Sequence, residues 1–183
     1  FYADSDYSSL RVGVEMVQQL LERGCTVIFR PHPYARRTRQ FAEACSRIIA
    51  LLEQDRTATG RPHVAGVTAE REMTVFDCFN AADALISDVS SVVADFLYSE
   101  KPFAMVAVSQ PAEGFAEHFP IAEAAYVVDG HGGTLDGFGA VLDEMLGEDP
   151  LRPTRQKLKT YYLGDIPADS YAQRFLDEAG ALI

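Results

Sequence analysis

Apolar positions along the chain follow two spacings, one helical and one extended. Leu10, Val14, Val17, Leu20 and Leu21 recur three or four residues apart and stop at Gly24, a natural helix terminator. Cys25-Thr26-Val27-Ile28-Phe29 then reads as a strand, β-branched and apolar, and halts at Arg30-Pro31-His32-Pro33. A second helix is predicted over 38–53, with Phe41, Ala44, Cys45, Ile48, Ile49 and Leu52 on its buried face. Residues 57–62 read as a loop and 63–67 as a short strand. A short helix over 74–81 leads to a strand over 84–86 that ends at Ser87-Asp88. A helix over 90–98, a strand over 103–108 and a weaker strand over 125–128 come next. Gly130, Gly132 and Gly133 mark a turn before a helix over 135–146, and the tail reads as two helices broken near 164–167. Strands alternating with helices at this spacing predict βαβ units and a doubly wound, Rossmann-like α/β domain with a parallel sheet. Its expected extent is 1–149, with 150–183 as helices packing on it or on another domain. In such sheets ligands bind beyond the carboxyl ends of the strands. The two most unusual segments, after Phe29 and after Ile86, both fall there.

Composition narrows the classes. The chain has 183 residues, 48% hydrophobic and 23% charged, the balance of a folded globular protein. Its net charge of -11 argues against a general nucleic-acid or anionic-membrane surface, though not against a local basic pocket. No apolar run approaches the roughly 20 residues of a membrane span. The start has neither the basic end nor the apolar run of a signal peptide. Cys25, Cys45 and Cys78 are too scattered for a zinc pattern and too few for a disulfide framework, so they are expected as reduced thiols in a cytoplasmic protein. The chain opens on Phe1 without an initiator methionine, which suggests an excised domain.

Three segments are candidates for chemistry. In Arg30-Pro31-His32-Pro33 two prolines stiffen the backbone around an imidazole that could donate to a phosphate or act as a general acid. Arg30, Arg36, Arg37 and Arg39 stand out in so acidic a chain and match phosphate oxygens in geometry, but a solvated basic turn would look the same. In Ser87-Asp88-Val89-Ser90-Ser91 one residue would suffice as a helix cap, and four polar residues crowd the turn. Helix-start N–H groups with the Ser90 and Ser91 hydroxyls would form an anion site, and Asp95 shares the helical face of Ser91. Asp4-Ser5-Asp6 superficially resembles a phosphatase nucleophile loop, but no buried strand precedes it, and a helix cap at Ser8 or Ser9 is the better reading. His63 is expected in the core or facing solvent. Glu113, Glu117 and His118 lie after a strand end and could serve a donor site, or only loop polarity. Lys157, Lys159, Tyr161 and Tyr162 suit a late surface helix or a domain contact. Gly130-His131-Gly132-Gly133 lacks the frame of a dinucleotide fingerprint.

Arg30-Pro31-His32-Pro33, then residues 80–96 containing Leu85-Ile86-Ser87-Asp88-Val89-Ser90-Ser91 and Asp95, then Lys101-Pro102-Phe103, together resemble the CDP-glycerol glycerophosphotransferases of teichoic-acid synthesis. That family carries an R-x-H-P segment, a D-x-L-I-T-D-Y-S-S-x-x-x-D block and a K-P strand start. Residues 2–9 resemble the segment just after the family's A-P-T-W loop, so the resemblance spans nearly the whole chain. Val89 replaces the usual tyrosine and Ser87 the usual threonine; neither change removes a phosphate donor.

The resemblance implies the C-terminal, nucleotide-donor half of a two-domain GT-B transferase. His32, Ser90 and Ser91 would hold the donor's pyrophosphate, with His32 the catalytic candidate and Arg30, Asp88 and Asp95 in support. It also implies CDP-glycerol as donor, attack by an acceptor hydroxyl on its β-phosphate, and release of CMP. The acceptor would be a polymer or lipid-linked partner, bound with its catalytic base by a missing N-terminal domain, so this piece alone is expected to bind donor weakly and transfer nothing. No cofactor, metal or nucleic acid is expected, and membrane contact only through missing regions at the inner face. The rivals are a GT-B glycosyltransferase using a CMP- or UDP-sugar and a degenerate, non-catalytic interaction module. A receiver-type phosphoacceptor fails, because Lys101-Pro102 precedes its strand rather than coming after it.

Overall fold

The computed structural model describes residues 7–167 and 169–181; the Asp4-Ser5-Asp6 segment and most of the 2–9 resemblance lie outside them. Along the chain come α1 (Gly13–Glu22), α2 (Arg39–Thr59), α3 (Val75–Ala81), β1 (Leu85–Ser87), α4 (Val92–Leu97) and β2 (Phe103–Ala107). Then come α5 (Phe115–His118), β3 (Tyr126–Asp129), α6 (Phe138–Leu146), α7 (Arg152–Leu163) and α8 (Tyr171–Gly180). The strands form a parallel sheet in the order β1-β2-β3, with Ile86 opposite Ala104 and Val106 opposite Val128.

Strand β2 is buried at all five positions because both sheet faces are covered. Ala104 and Val106 pack with Val12 and Met16 beside α1 and with Phe138, Leu142 and Met145 of α6. Phe103, Met105 and Ala107 pack on the opposite face with Val93, Phe96 and Leu97 of α4 and Phe115 of α5. Each large side chain buried this way contributes about 1.5–3 kcal/mol of transfer free energy. A third cluster joins Leu10 and Val17 to Phe41, Cys45, Ile48 and Leu52 of α2, with Val27 and Phe29 between them. The fold is the expected Rossmann-like α/β class, a parallel sheet with helices on both sides.

Several elements differ from the sequence reading. The strand expected at 25–29 and its partner at 63–67 reduce to one parallel bridge, Ile28 to Val64. Phe29 N donates to Val64 O at 2.8 Å and Val64 N to Val27 O at 3.0 Å, but Pro31 and Pro62 cannot donate and the chain turns at Gly66, where φ is +63°. Helix α2 continues past Glu53 to Thr59 and stops at Gly60, whose φ is +79°. Its polar last turns are held by Thr57 and Thr59 hydroxyls on the carbonyls of Glu53 and Asp55. Asp55 also pairs with Arg61 and with His63 Nε2 at 2.8 Å, while His63 Nδ1 accepts from Val27 N. His63 is therefore a buried clamp between α2 and the bridge. A π-helical turn at Thr68–Glu72, helix α5 and the 3-10 turn Pro120–Ala124 have no signal in the sequence pattern. Ser8, as expected, caps a helical start, the 3-10 turn Ser9–Arg11.

Candidate active site

The loop after Phe29 is rigid for reasons beyond its prolines. His32 O accepts from Ala35 N at 2.8 Å, and His32 Nδ1 accepts from Tyr34 N at 3.1 Å. With Nδ1 an acceptor, the neutral imidazole carries its proton on Nε2, which is left as a donor. The ring also meets Tyr34 edge-on, with centroids 5.2 Å apart.

The four arginines, read as either phosphate ligands or a basic turn, are dispersed onto separate partners. Arg30 Nη1 donates to the carbonyls of Ala69 and Met73, tying the loop to the π-helical turn. Arg36 makes a two-pronged pair with Glu70 of that turn, at 2.5 and 2.8 Å. Arg37 stacks over Tyr34, 3.7 Å from the ring centroid, and Arg39 pairs with Glu43 one turn along α2. Arg30 and Arg36 thus clamp the loop that presents His32.

The loop after β1 divides its polar residues between holding and presenting. Asp88 is fully buried; its Oδ2 accepts from Ser9 N at 3.1 Å and Ser9 Oγ at 3.3 Å. Burial pushes its carboxyl above the usual range, partly offset by those Ser9 donors. This pair fixes the loop to the start of the first helical segment, 79 residues away in sequence. Ser90 and Ser91 behave differently. Ser91 precedes α4 but makes no side-chain cap, and neither hydroxyl has a hydrogen-bond partner among the described residues. Helix α4 has only six residues, so any pull of its dipole on an anion is small. Asp95 is exposed one turn on, its N–H directed to Ser91 O at 3.4 Å.

Beside these serines lies a cavity of about 270 Å³, lined by Val89, Ser90, Ser91, Met105, His118, Phe119, Pro120, Ile121 and Tyr162. The structure therefore brings together Ser90, Ser91 and His118, while His32, Arg30, Asp88 and Asp95 are not among its lining residues. Tyr162 comes from α7, which docks through fully buried Arg155. That guanidinium pairs with Asp149 and donates to Glu100 O at 3.3 Å and Ala124 O at 3.5 Å. Lys159 adds a pair with Glu100 at 2.6 Å, which holds that carboxyl below the usual range. No spacing in the sequence points Tyr162 at this cavity, because α7 reaches it only through tertiary docking. Lys101 has a structural part: its Nζ donates to the carbonyls of Phe79, Asn80 and Ala82 and closes the C-terminus of α3.

The model of the CDP-glycerol:poly(glycerophosphate) glycerophosphotransferase family matches residues 3–111, a span that contains both strand-end loops and β2. No curated protein and no solved structure matches the chain significantly. With the match covering more than half of 183 residues, the chain belongs to the CDP-glycerol:poly(glycerophosphate) glycerophosphotransferase family.

Proposed function

We propose that the chain is the donor-binding half of a GT-B transferase that moves glycerol phosphate from CDP-glycerol to a hydroxyl of a teichoic-acid-type acceptor. The observation that carries this reading is the pair of unspent serine hydroxyls, Ser90 and Ser91, on the wall of a cavity at the end of β1, inside the family-matched span. The acceptor oxygen attacks the donor's β-phosphorus, the bond from that phosphorus to the bridging oxygen breaks, and CMP leaves. The hydroxyl proton passes to a base of an acceptor-binding domain. His32 Nε2–H and the two serines donate to the phosphate oxygens as charge shifts onto CMP. A preorganised donor of this kind is worth about 3 kcal/mol in a transition state. Arg30 and Asp88 support the site by holding its loops, and Asp95 stands near the serines as an acceptor for a ligand hydroxyl. The enzyme works at the inner face of the cell membrane; among the described residues no helix is long and apolar enough to cross one.

Calorimetric titration with CDP-glycerol, CDP, CMP, CMP-sialic acid and a UDP-sugar tests this reading. Selective binding of the cytidine diphosphate ligands is expected, with at least about a tenfold loss in His32→Ala and in Ser90→Ala/Ser91→Ala at unchanged circular dichroism. Preference for CMP-sialic acid or the UDP-sugar moves the assignment to glycosyl transfer. Wild-type affinity in both variants refutes the site.

A further inference from the structure

His118 stands on the same cavity as Ser90 and Ser91, on a different element and beyond the family-matched residues. Gln110 Nε2 donates to its Nδ1 across 3.4 Å, so the neutral ring keeps its proton on Nε2. The rest of the lining is mostly apolar: Val89, Met105, Phe119, Pro120 and Ile121. A small cavity with apolar walls and a few converging polar groups fits a ligand fixed by those groups alone. Among the described residues the polar side chains on this wall are the two serine hydroxyls, the imidazole and the Tyr162 hydroxyl, with no carboxylate and no lysine or arginine. That set offers donors to an anionic group without the repulsion a carboxylate would impose.

We propose that His118 is a second phosphate-binding imidazole of the donor site, donating from Nε2 to the phosphate held by Ser90 and Ser91, with Gln110 as the positioning residue that fixes its tautomer. The proposal rests on the reading of the chain as a donor-binding transferase domain. It assigns the imidazole inside the cavity to a residue from the segment after β2, whereas the family motif supplies His32 from the loop after Phe29.

The test is calorimetry of wild type, His118→Ala, His118→Gln and Gln110→Ala with CDP, inorganic pyrophosphate and cytidine. Wild type is expected to bind CDP. His118→Ala should weaken CDP and pyrophosphate by tenfold or more while leaving cytidine unchanged. His118→Gln, which keeps an N–H donor, should recover part of the loss, and Gln110→Ala should show a smaller loss confined to the phosphate ligands. CDP affinity unchanged in His118→Ala overturns the proposal and leaves the donor-site reading intact. An equal loss for CDP and cytidine also overturns it, because His118 would then shape the cavity rather than hold phosphate. Failure of wild type to bind either CDP or pyrophosphate removes the donor-site reading itself, and this proposal with it. Circular dichroism and thermal melting of each variant separate these results from unfolding, since exposed His118 and half-buried Gln110 carry little of the core.

Discussion

Replacing Arg155 with Met should be among the most destabilising single changes in the C-terminal third of the chain. The guanidinium is fully buried, while the side chain of its partner Asp149 is 17% exposed. Removing the cation leaves Asp149 with the Tyr126 hydroxyl at 3.1 Å as its side-chain donor, and strips Glu100 O and Ala124 O of theirs. Breaking a buried pair from one side costs about 3–5 kcal/mol, against 0–1 kcal/mol for an exposed one. The two carbonyl contacts are long, and Asp149 retains some solvent, so about 3 kcal/mol is the expected value. Urea unfolding of Arg155→Met, Asp149→Asn and the double variant would measure it, with the slope of the transition compared across all four proteins. A coupling energy of about 1–3 kcal/mol between the two sites is expected, because each single change strands the other partner. A cost below about 1 kcal/mol for Arg155→Met, or additive single changes, would refute the idea that this pair docks α7. The same variant should loosen Tyr162 on the cavity wall and weaken donor binding.

Tyr126 is pushed up to about 12, first by burial and then by its hydrogen bond to Asp149, so the unfolded chain loses this proton first. Its contribution to stability is full below pH 10 and lost as pH rises from 10 towards 12, and Tyr126→Phe should flatten that part of an alkaline unfolding curve. Asp88 also titrates above its ordinary value in the fold, so its contribution is greatest below pH 3.8 and declines as pH rises through the raised value. Asp88→Asn, which still accepts from Ser9, should remove that slope at a cost within about 1 kcal/mol. Asp88→Ala strands two buried donors and should cost about 1–3 kcal/mol in denaturant unfolding.

The parts of the fold that are legible in the sequence are those where one physical signal acts alone. Strand β2 is readable because a continuous apolar run of that length suits a strand covered on both faces, and α1 because its apolar stripe ends at Gly24. Where two signals compete, the local pattern misleads. The stripe on α2 ends at Leu52, yet side-chain bonds in its polar last turns and a left-handed Gly60 carry the helix to Thr59. The run Cys25–Phe29 has strand composition, but flanking prolines and the turn at Gly66 leave room for a single bridge. Likewise the arginines after Phe29 are visible as a charge cluster. Arg37 on Tyr34 and Arg39 on Glu43 are local pairs three and four residues apart, but the destinations of Arg30 on Ala69 and Arg36 on Glu70 depend on tertiary neighbours that no local pattern encodes.

The motif residues themselves sort by how costly they are to desolvate. Arg30 and Asp88, two ionisable residues drawn inward, are held in fixed partnerships with carbonyls and with Ser9, because an ionisable group near the interior must be hydrogen-bonded to be tolerated. Ser90 and Ser91 are small and neutral, and leaving a hydroxyl open to a cavity costs little. Each of the two strand-end loops in this chain thus combines a residue that holds with residues that present: Arg30 with His32 in one, Asp88 with Ser90 and Ser91 in the other. The division has a measurable consequence. Changes to Arg30 or Asp88 should lower stability and donor affinity together, whereas changes to His32, Ser90 or Ser91 should lower affinity alone. Ligand-binding and unfolding measurements on variants at these positions would separate the two groups, and a presenting residue whose loss also unfolds the protein would break the scheme.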